Sequence, residues 1–295
     1  MSEYIISCSS TVDLSEEHLN KRNVRWIPFH FFLDEKHYFD DLGKTISNAD
    51  FYQAMVDGAE TRTSQINVDE YYKAFESYVK EGKDMLHVCM SSGISGTYNA
   101  ACIAAEQLRP KYPERKIYVV DSLAASSGYG LLMDGVADKR DAGMTIDEVR
   151  DWLEANKLKL HHWFFSTDLT FFIKGGRVSK ASGIIGGALK ICPMLNVNNE
   201  GRLIPREKIR TRKRAMKAAV NKMLELADDR QDYSGKAYVY HSAVEEDAKE
   251  LARMVEEAFP KLAEPVTICK IGTTIGSHTG PGTISLSFWG DPRTD

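Results

Sequence analysis

Apolar residues switch between strand-like runs and helical spacing along most of the chain. Tyr4, Ile5 and Ile6 open an extended run over 4–8, and an aromatic-rich segment follows at 26–32. Ser47 with Asp50 three residues on forms a capping-box-like start, after which Phe51, Ala54 and Met55 fall on one helical face. Asn67 with Glu70 repeats the device for a helix with Tyr71, Phe75, Tyr78 and Val79 inward and Gly82 as its stop. The run 85–90 has strand length. Ser95 then reads as the start of a helix with Tyr98, Ala101, Cys102, Ala105 and Leu108 on one face and Pro110 beyond its end. A strand over 117–120 ends in Asp121 and Ser122. A helix follows over about 126–142, and Thr145 with Glu148 opens another that buries Val149, Trp152 and Leu153. This alternation predicts a parallel or mostly parallel sheet covered by helices.

Near residue 160 the texture changes. A strand over 163–167 leads into a glycine-rich stretch at 174–187, a polar turn at 198–201 and a strongly basic stretch. A helix over about 212–227, a strand at 237–241 and a helix with Ala248, Leu251, Ala252 and Val255 inward come next. The strand 266–271 is the last clear one before the glycine-rich tail IGSHTGPG. The pattern predicts two α/β lobes, residues 1–160 and 161–295, the first built on a mostly parallel sheet.

Composition narrows the class. Of 295 residues, 43% are hydrophobic and 27% charged, as in ordinary globular proteins. Lys and Arg number 38 against 42 Asp and Glu, a net charge of −4. That balance argues against generic attraction to nucleic acid or anionic membrane. No uninterrupted apolar run reaches about 18 residues, so no membrane span is expected. The first residues show no basic segment followed by a long apolar one, which points to the cytoplasm. Five scattered cysteines offer neither a disulfide framework nor a zinc motif.

Four places carry candidate chemistry. SSGISGT (91–97) lies between a strand and a helix, where open α/β sheets place ligands. There Ser95 at the expected N-cap and Gly96 beside it suit a carboxylate or phosphate, although Ser is a favoured cap in any helix. Thr63-Ser64-Gln65 reads as a polar loop between helices. IGSHTGPG (275–282) reads as a backbone-permissive loop, in which His278 is either solvated or a donor to an anion. Gly175-Gly176-Arg177 precedes a basic run that includes Arg202, Arg206, Lys208, Arg210 and Arg212. Such a run is a solvated face or a docking patch for an acidic partner.

Taken together, TSQ (63–65), SSGISGTYNAA (91–101), VVDS (119–122), IKGGRVS (173–179), ALKICPMLNV (188–197), GRL (201–203) and IGSHTGPG (275–282) resemble the DegV family of bacterial fatty-acid-binding proteins, in family order across nearly the whole chain. The resemblance implies a two-lobed α/β fold with a long-chain fatty acid held between the lobes. It also implies a separate fatty-acid kinase, of the dihydroxyacetone-kinase-like type, that phosphorylates the carboxylate for phospholipid synthesis. Carried over by motif, Thr63, Ser95, His278 and Thr279 would hold the carboxylate, with Ser64 and Gly96 as additional contacts. Arg177 would stand near the kinase or its phosphate, with Arg206 of the basic run on the partner-facing side. No metal, cofactor or catalytic residue is expected, and the free protein is expected to be a monomer.

Other functions remain open on residues alone. Ser95, His278 and Asp121 could form a hydrolase triad on acyl esters, but no G-x-S-x-G elbow occurs. A kinase in its own right lacks a recognisable nucleotide-phosphate loop. A DNA-binding regulator using the basic run is weakened by the acidic total.

Overall fold

The computed structural model describes residues 4–179 and 191–294. The second part of the glycine-rich stretch, 180–190, and with it the start of the ALKICPMLNV motif, lies outside the described residues.

The first half follows the predicted alternation. Strand β1 (Ile5–Ser9), helix α1 (Glu16–Lys21) and β2 (Val24–Ile27) lead into a hairpin of β3 (His30–Leu33) and β4 (Lys36–Phe39). Then come α2 (Asn48–Val56), β5 (Thr61–Ser64), α3 (Val68–Lys80), β6 (Met85–Cys89), α4 (Thr97–Leu108), β7 (Ile117–Asp121), α5 (Ser126–Asp141) and α6 (Ile146–Asn156). Strands β2, β1, β6 and β7 form an all-parallel sheet in that order. Every residue of β1 and β6 is buried, as a parallel sheet covered on both faces requires. Three helix starts are built as their sequences indicate. Ser47 Oγ accepts from the Asp50 amide, and both Asn67–Glu70 and Thr145–Glu148 close reciprocal capping boxes.

Three local expectations are corrected. Helix α4 starts at Thr97 with Gly96 as its N-cap, and Ser95 Oγ accepts from the Thr97 amide at 3.3 Å. Ser95 therefore lies one residue ahead of the cap, in the bend that leads from β6. The triplet at 63–65 is no loop between helices, because Thr61–Ser64 is a strand paired with β3 in the small antiparallel sheet β4-β3-β5. Neither Arg62 nor Ser64 is apolar, and pairing rather than hydrophobic pattern holds this edge. The tail motif is helical over much of its length, as described next.

The second half adds β8 (Leu160–Phe165), α7 (Thr170–Lys174), β9 (Ile191–Val197), β10 (Leu203–Arg210), α8 (Arg212–Leu226), β11 (Tyr238–His241), α9 (Glu245–Ala258), β12 (Thr267–Lys270), α10 (Thr273–Thr279) and β13 (Ile284–Trp289). Their sheet runs β10-β9-β8-β13-β11-β12 and is antiparallel except for the last pair. Three of its strands, β9, β10 and β13, were not anticipated. Within β10, Arg206, Lys208 and Arg210 alternate outward, so the basic run is the exposed face of an edge strand. In β13, Ile284, Leu286 and Phe288 join Trp163 and Phe165 in the core under α8 and α9. The intervening Ser285 and Ser287 take the opposite face, where α5 lies against the sheet. His278, expected in a loop, sits in the last turn of α10, and that helix packs against β5, α7 and α2.

Candidate functional site

A cavity of about 510 Å³ opens where the β6–α4 bend, β5, α7, α10 and the inner face of the six-stranded sheet converge. Its size is that of a small-molecule site. Phe29, Met90, Ile94, Phe164, Phe172 and Val197 supply an apolar lining. Thr63, Ser95, Gly96, Arg177, His278 and Thr279 also lie in its wall. Chain folding thus gathers side chains from residue 63 to residue 279 around one space. Ser64 and Arg206 do not belong to this wall. Period-two alternation turns Ser64 to the exposed side of β5, and Arg206 is exposed on β10, bonded to Asn196 Oδ1 at 2.8 Å.

Thr63 Oγ1 and His278 Nε2 are 2.7 Å apart. Burial, reinforced by the Arg177 charge, lowers the His278 pKa to about 4, so the ring is neutral near pH 7. The pair then holds two polar hydrogens, one on the hydroxyl and one on the ring. Their mutual bond uses one, and the other is free to donate, from Thr63 or from Nδ1 according to the tautomer. Nδ1 itself is buried without a partner among the described residues, as is Thr279 Oγ1. Arg177 is half-buried beside them and donates to the Gly175 carbonyl. No carboxylate among the described residues neutralises it. Unspent donors next to an unneutralised guanidinium suit an anion.

Two glycines make this geometry possible. A Cβ at Gly175 would lie 2.3 Å from His278 Nδ1, so the first glycine of KGGR is what lets α7 close onto α10. A Cβ at Gly93 would lie 2.3 Å from the Glu200 carbonyl oxygen, which lets the β9–β10 turn back onto the β6–α4 bend. Ser91 Oγ seals that contact by donating to the Gly201 carbonyl at 2.8 Å.

The hydrolase triad is not assembled. Asp121 Oδ1 accepts from the Ser92 and Leu123 amides at 3.1 and 3.0 Å, and His278 bonds Thr63 rather than Ser95. Asp121 is a loop-closing acceptor at the end of β7. Gln65 of the TSQ triplet also lies in the cavity wall, together with Ser127, His162 and Ser285, which no motif singled out. The alternation of β13 carried a signal for Ser285, whereas nothing in the run around His162 marked it.

These features define an α/β protein with an apolar-lined cavity that carries an anion-suited group of donors in its wall. The chain belongs to the DegV family, whose profile, described as an uncharacterised protein family, matches residues 5–291. A DegV domain-containing protein of Clostridium perfringens is 35% identical over 99% of both chains. A stearic-acid-binding protein from Eubacterium ventriosum has the same fold, with 27% identity, 97% of each chain covered and a TM-score of 0.85. The fatty acid kinase B3 protein of Streptococcus pneumoniae, solved loaded with linoleic acid, superposes with a TM-score of 0.83. It covers 98% of this chain and 99% of its own at 21% identity, a likeness of fold alone. Among the described residues no helix is long and apolar enough to cross a membrane, and no cluster of potential metal ligands occurs.

Proposed function

We propose that this protein binds a long-chain fatty acid in the cavity and presents its carboxylate to a separate fatty-acid kinase, with no catalysis of its own. The observation that carries this reading is the pairing of an apolar lining with one unspent donor on the Thr63–His278 pair and another at Thr279, beside Arg177. Each buried methylene contributes about 0.8 kcal/mol, so a long tail gains on the order of 10 kcal/mol before ordering costs. The carboxylate then needs charge-assisted hydrogen bonds to offset its desolvation, and Thr63, Ser95, His278 and Thr279 are the donors on hand. In this reading Arg177, half-buried in the same wall, neutralises the head group and is the residue that would meet the kinase or its phosphate. The exposed row Arg206, Lys208 and Arg210 on β10 supplies the charge that steers an acidic kinase surface. In this reading the carrier works in the cytoplasm as a monomer of two lobes meeting near residue 160, and the kinase is of the dihydroxyacetone-kinase-like type.

Native mass spectrometry of the purified protein tests the binding step, and a co-purifying or added fatty acid retained at one per chain is expected. With ATP, Mg²⁺ and fatty acid but no second protein, no acyl phosphate should form. An empty protein that refuses fatty acids, or one that turns them over unaided, would overturn the reading.

A further inference from the structure

One group in the cavity wall has no place in carboxylate binding. His162, on β8, is 3% exposed and forms part of the cavity lining, yet neither ring nitrogen has a hydrogen-bond partner among the described residues. Two residues on, Phe164 lines the same cavity from the same sheet face. An apolar ring would therefore fill such a position without the penalty of an unpaired imidazole. Next to it the surface is hydroxylated. Ser285 Oγ donates to Ser127 Oγ at 2.9 Å, Ser127 Oγ lies 2.7 Å from Ser287 Oγ, and Ser287 is the register partner of His162. The serines satisfy one another, while the histidine is left over.

The patch also has a definite place along the cavity. Thr283 Oγ1 donates to the Thr279 carbonyl at 3.3 Å, which fixes the start of β13 at the carboxylate end. Ser287, opposite His162, lies four residues further along the same extended segment, roughly 13 Å away at the rise of a strand. For an acyl chain that runs along β13, that distance falls near its middle.

Resting on the fatty-acid reading above, we propose that this carrier accepts acyl chains bearing a hydroxyl near the middle, with His162 as the group that receives it. Burial keeps the ring neutral, with one N–H and one bare nitrogen. A hydroxyl serves either tautomer, since it accepts from N–H or donates to the bare nitrogen. A keto oxygen only accepts, and a plain methylene does neither. The ligand class is therefore a mid-chain hydroxy fatty acid.

The test compares stearate with 10- and 12-hydroxystearate on the wild type and on His162→Leu, as dissociation constants. For at least one isomer, the affinity relative to stearate should fall about tenfold or more in the variant, while stearate itself binds both proteins similarly. An unchanged ratio for both isomers overturns the proposal and means that water, or nothing, serves the ring. If His162→Leu does not fold, the ring ¹⁵N resonances of His162 in the wild type decide. They should differ between the hydroxystearate and stearate complexes, and identical resonances overturn the proposal. Failure of stearate to bind the wild type would instead bring down the fatty-acid reading, so the two failures are told apart.

Discussion

Gly175→Ala is the sharpest probe of how the anion end is held. Its backbone is helical, with φ of −73°, so alanine on its own account should stabilise the chain by about 0.4–1 kcal/mol. The added methyl, however, would stand 2.3 Å from His278 Nδ1 and 3.1 Å from the Phe171 carbonyl oxygen. Regaining ordinary contact requires a retreat of His278 by about 1.1 Å, from 2.3 to 3.4 Å. That ring is tethered to Thr63 at 2.7 Å, so a retreat of this size breaks a bond whose useful range ends near 3.2 Å. Overpacking costs about 1–3 kcal/mol and the lost bond about 1 kcal/mol, which outweighs the propensity gain. A net loss of about 1–3 kcal/mol in stability is expected, with fatty-acid affinity about tenfold weaker. Gly176→Ala is the matched control. Its φ of +73° makes alanine cost about 1 kcal/mol, but nothing lies within 4 Å of the new methyl. Urea unfolding and titration with a fluorescent fatty acid, run on both variants, give the comparison. If both lower affinity equally, or neither does, the contact between Gly175 and His278 has no part in holding the head group.

Three further outcomes follow. Thr63→Val and Ser95→Ala should each weaken carboxylate binding by about 1.5–3 kcal/mol, measured by the same titration. Ser95→Ala should cost no more than about 1 kcal/mol in thermal stability, because its one bond to the Thr97 amide is long. His87 is fully buried against Tyr71 and Phe75, with its pKa lowered to about 3, so the unfolded chain binds the extra proton between pH 6.5 and 3. Its contribution is intact above pH 6.5 and is lost as pH falls, by up to about 1.4 kcal/mol per unit. Asp13 and Asp40, whose burial raises their pKa values, act with the opposite sign, so the effect is read as a difference. Thermal unfolding from pH 7 to 4 should show a shallower acid loss in His87→Leu than in the wild type. Arg206→Glu should leave bound fatty acid unchanged by native mass spectrometry and slow phosphorylation by a cognate kinase, with added salt mimicking the change.

What could be read from residues alone divides along physical lines. Capping pairs such as Asn67–Glu70 and apolar faces such as Tyr71, Phe75 and Tyr78 are local, so the helices of the first half stood out. In the parallel sheet β1, β6 and β7 were legible as short apolar runs, whereas β2, with Arg25 inside it, read only as the edge of an aromatic-rich segment. Strands β5 and β10 were not legible, since polar residues dominate them and only their partners hold them in place. The helical state of His278 was hidden by glycines at 276, 280 and 282, which read as a turn but serve close packing in α10 and the exit from it. Convergence of Thr63, Ser95, Arg177, His278 and Thr279 on one cavity is a long-range fact, visible beforehand only through the combined motifs. His162 had no signal at all, because its meaning lies in what fails to touch it.

The cavity wall draws on residues from Phe29 to Ser285, from the loops that leave the parallel sheet, the strands of the other two sheets, and helices α5, α7 and α10. Whatever fills it becomes, in effect, a removable piece of the hydrophobic interior. A ligand that binds only the native state adds RT ln(1 + [L]/Kd), about 2.7 kcal/mol at a hundredfold excess over Kd. That increment is a sizeable share of the stability of an ordinary domain. The abundance of this protein in a cell would then follow lipid supply, since starved, vacant copies open more often and reach proteases sooner. On the fatty-acid reading proposed above, the number of intact copies would be set in part by the cargo at hand.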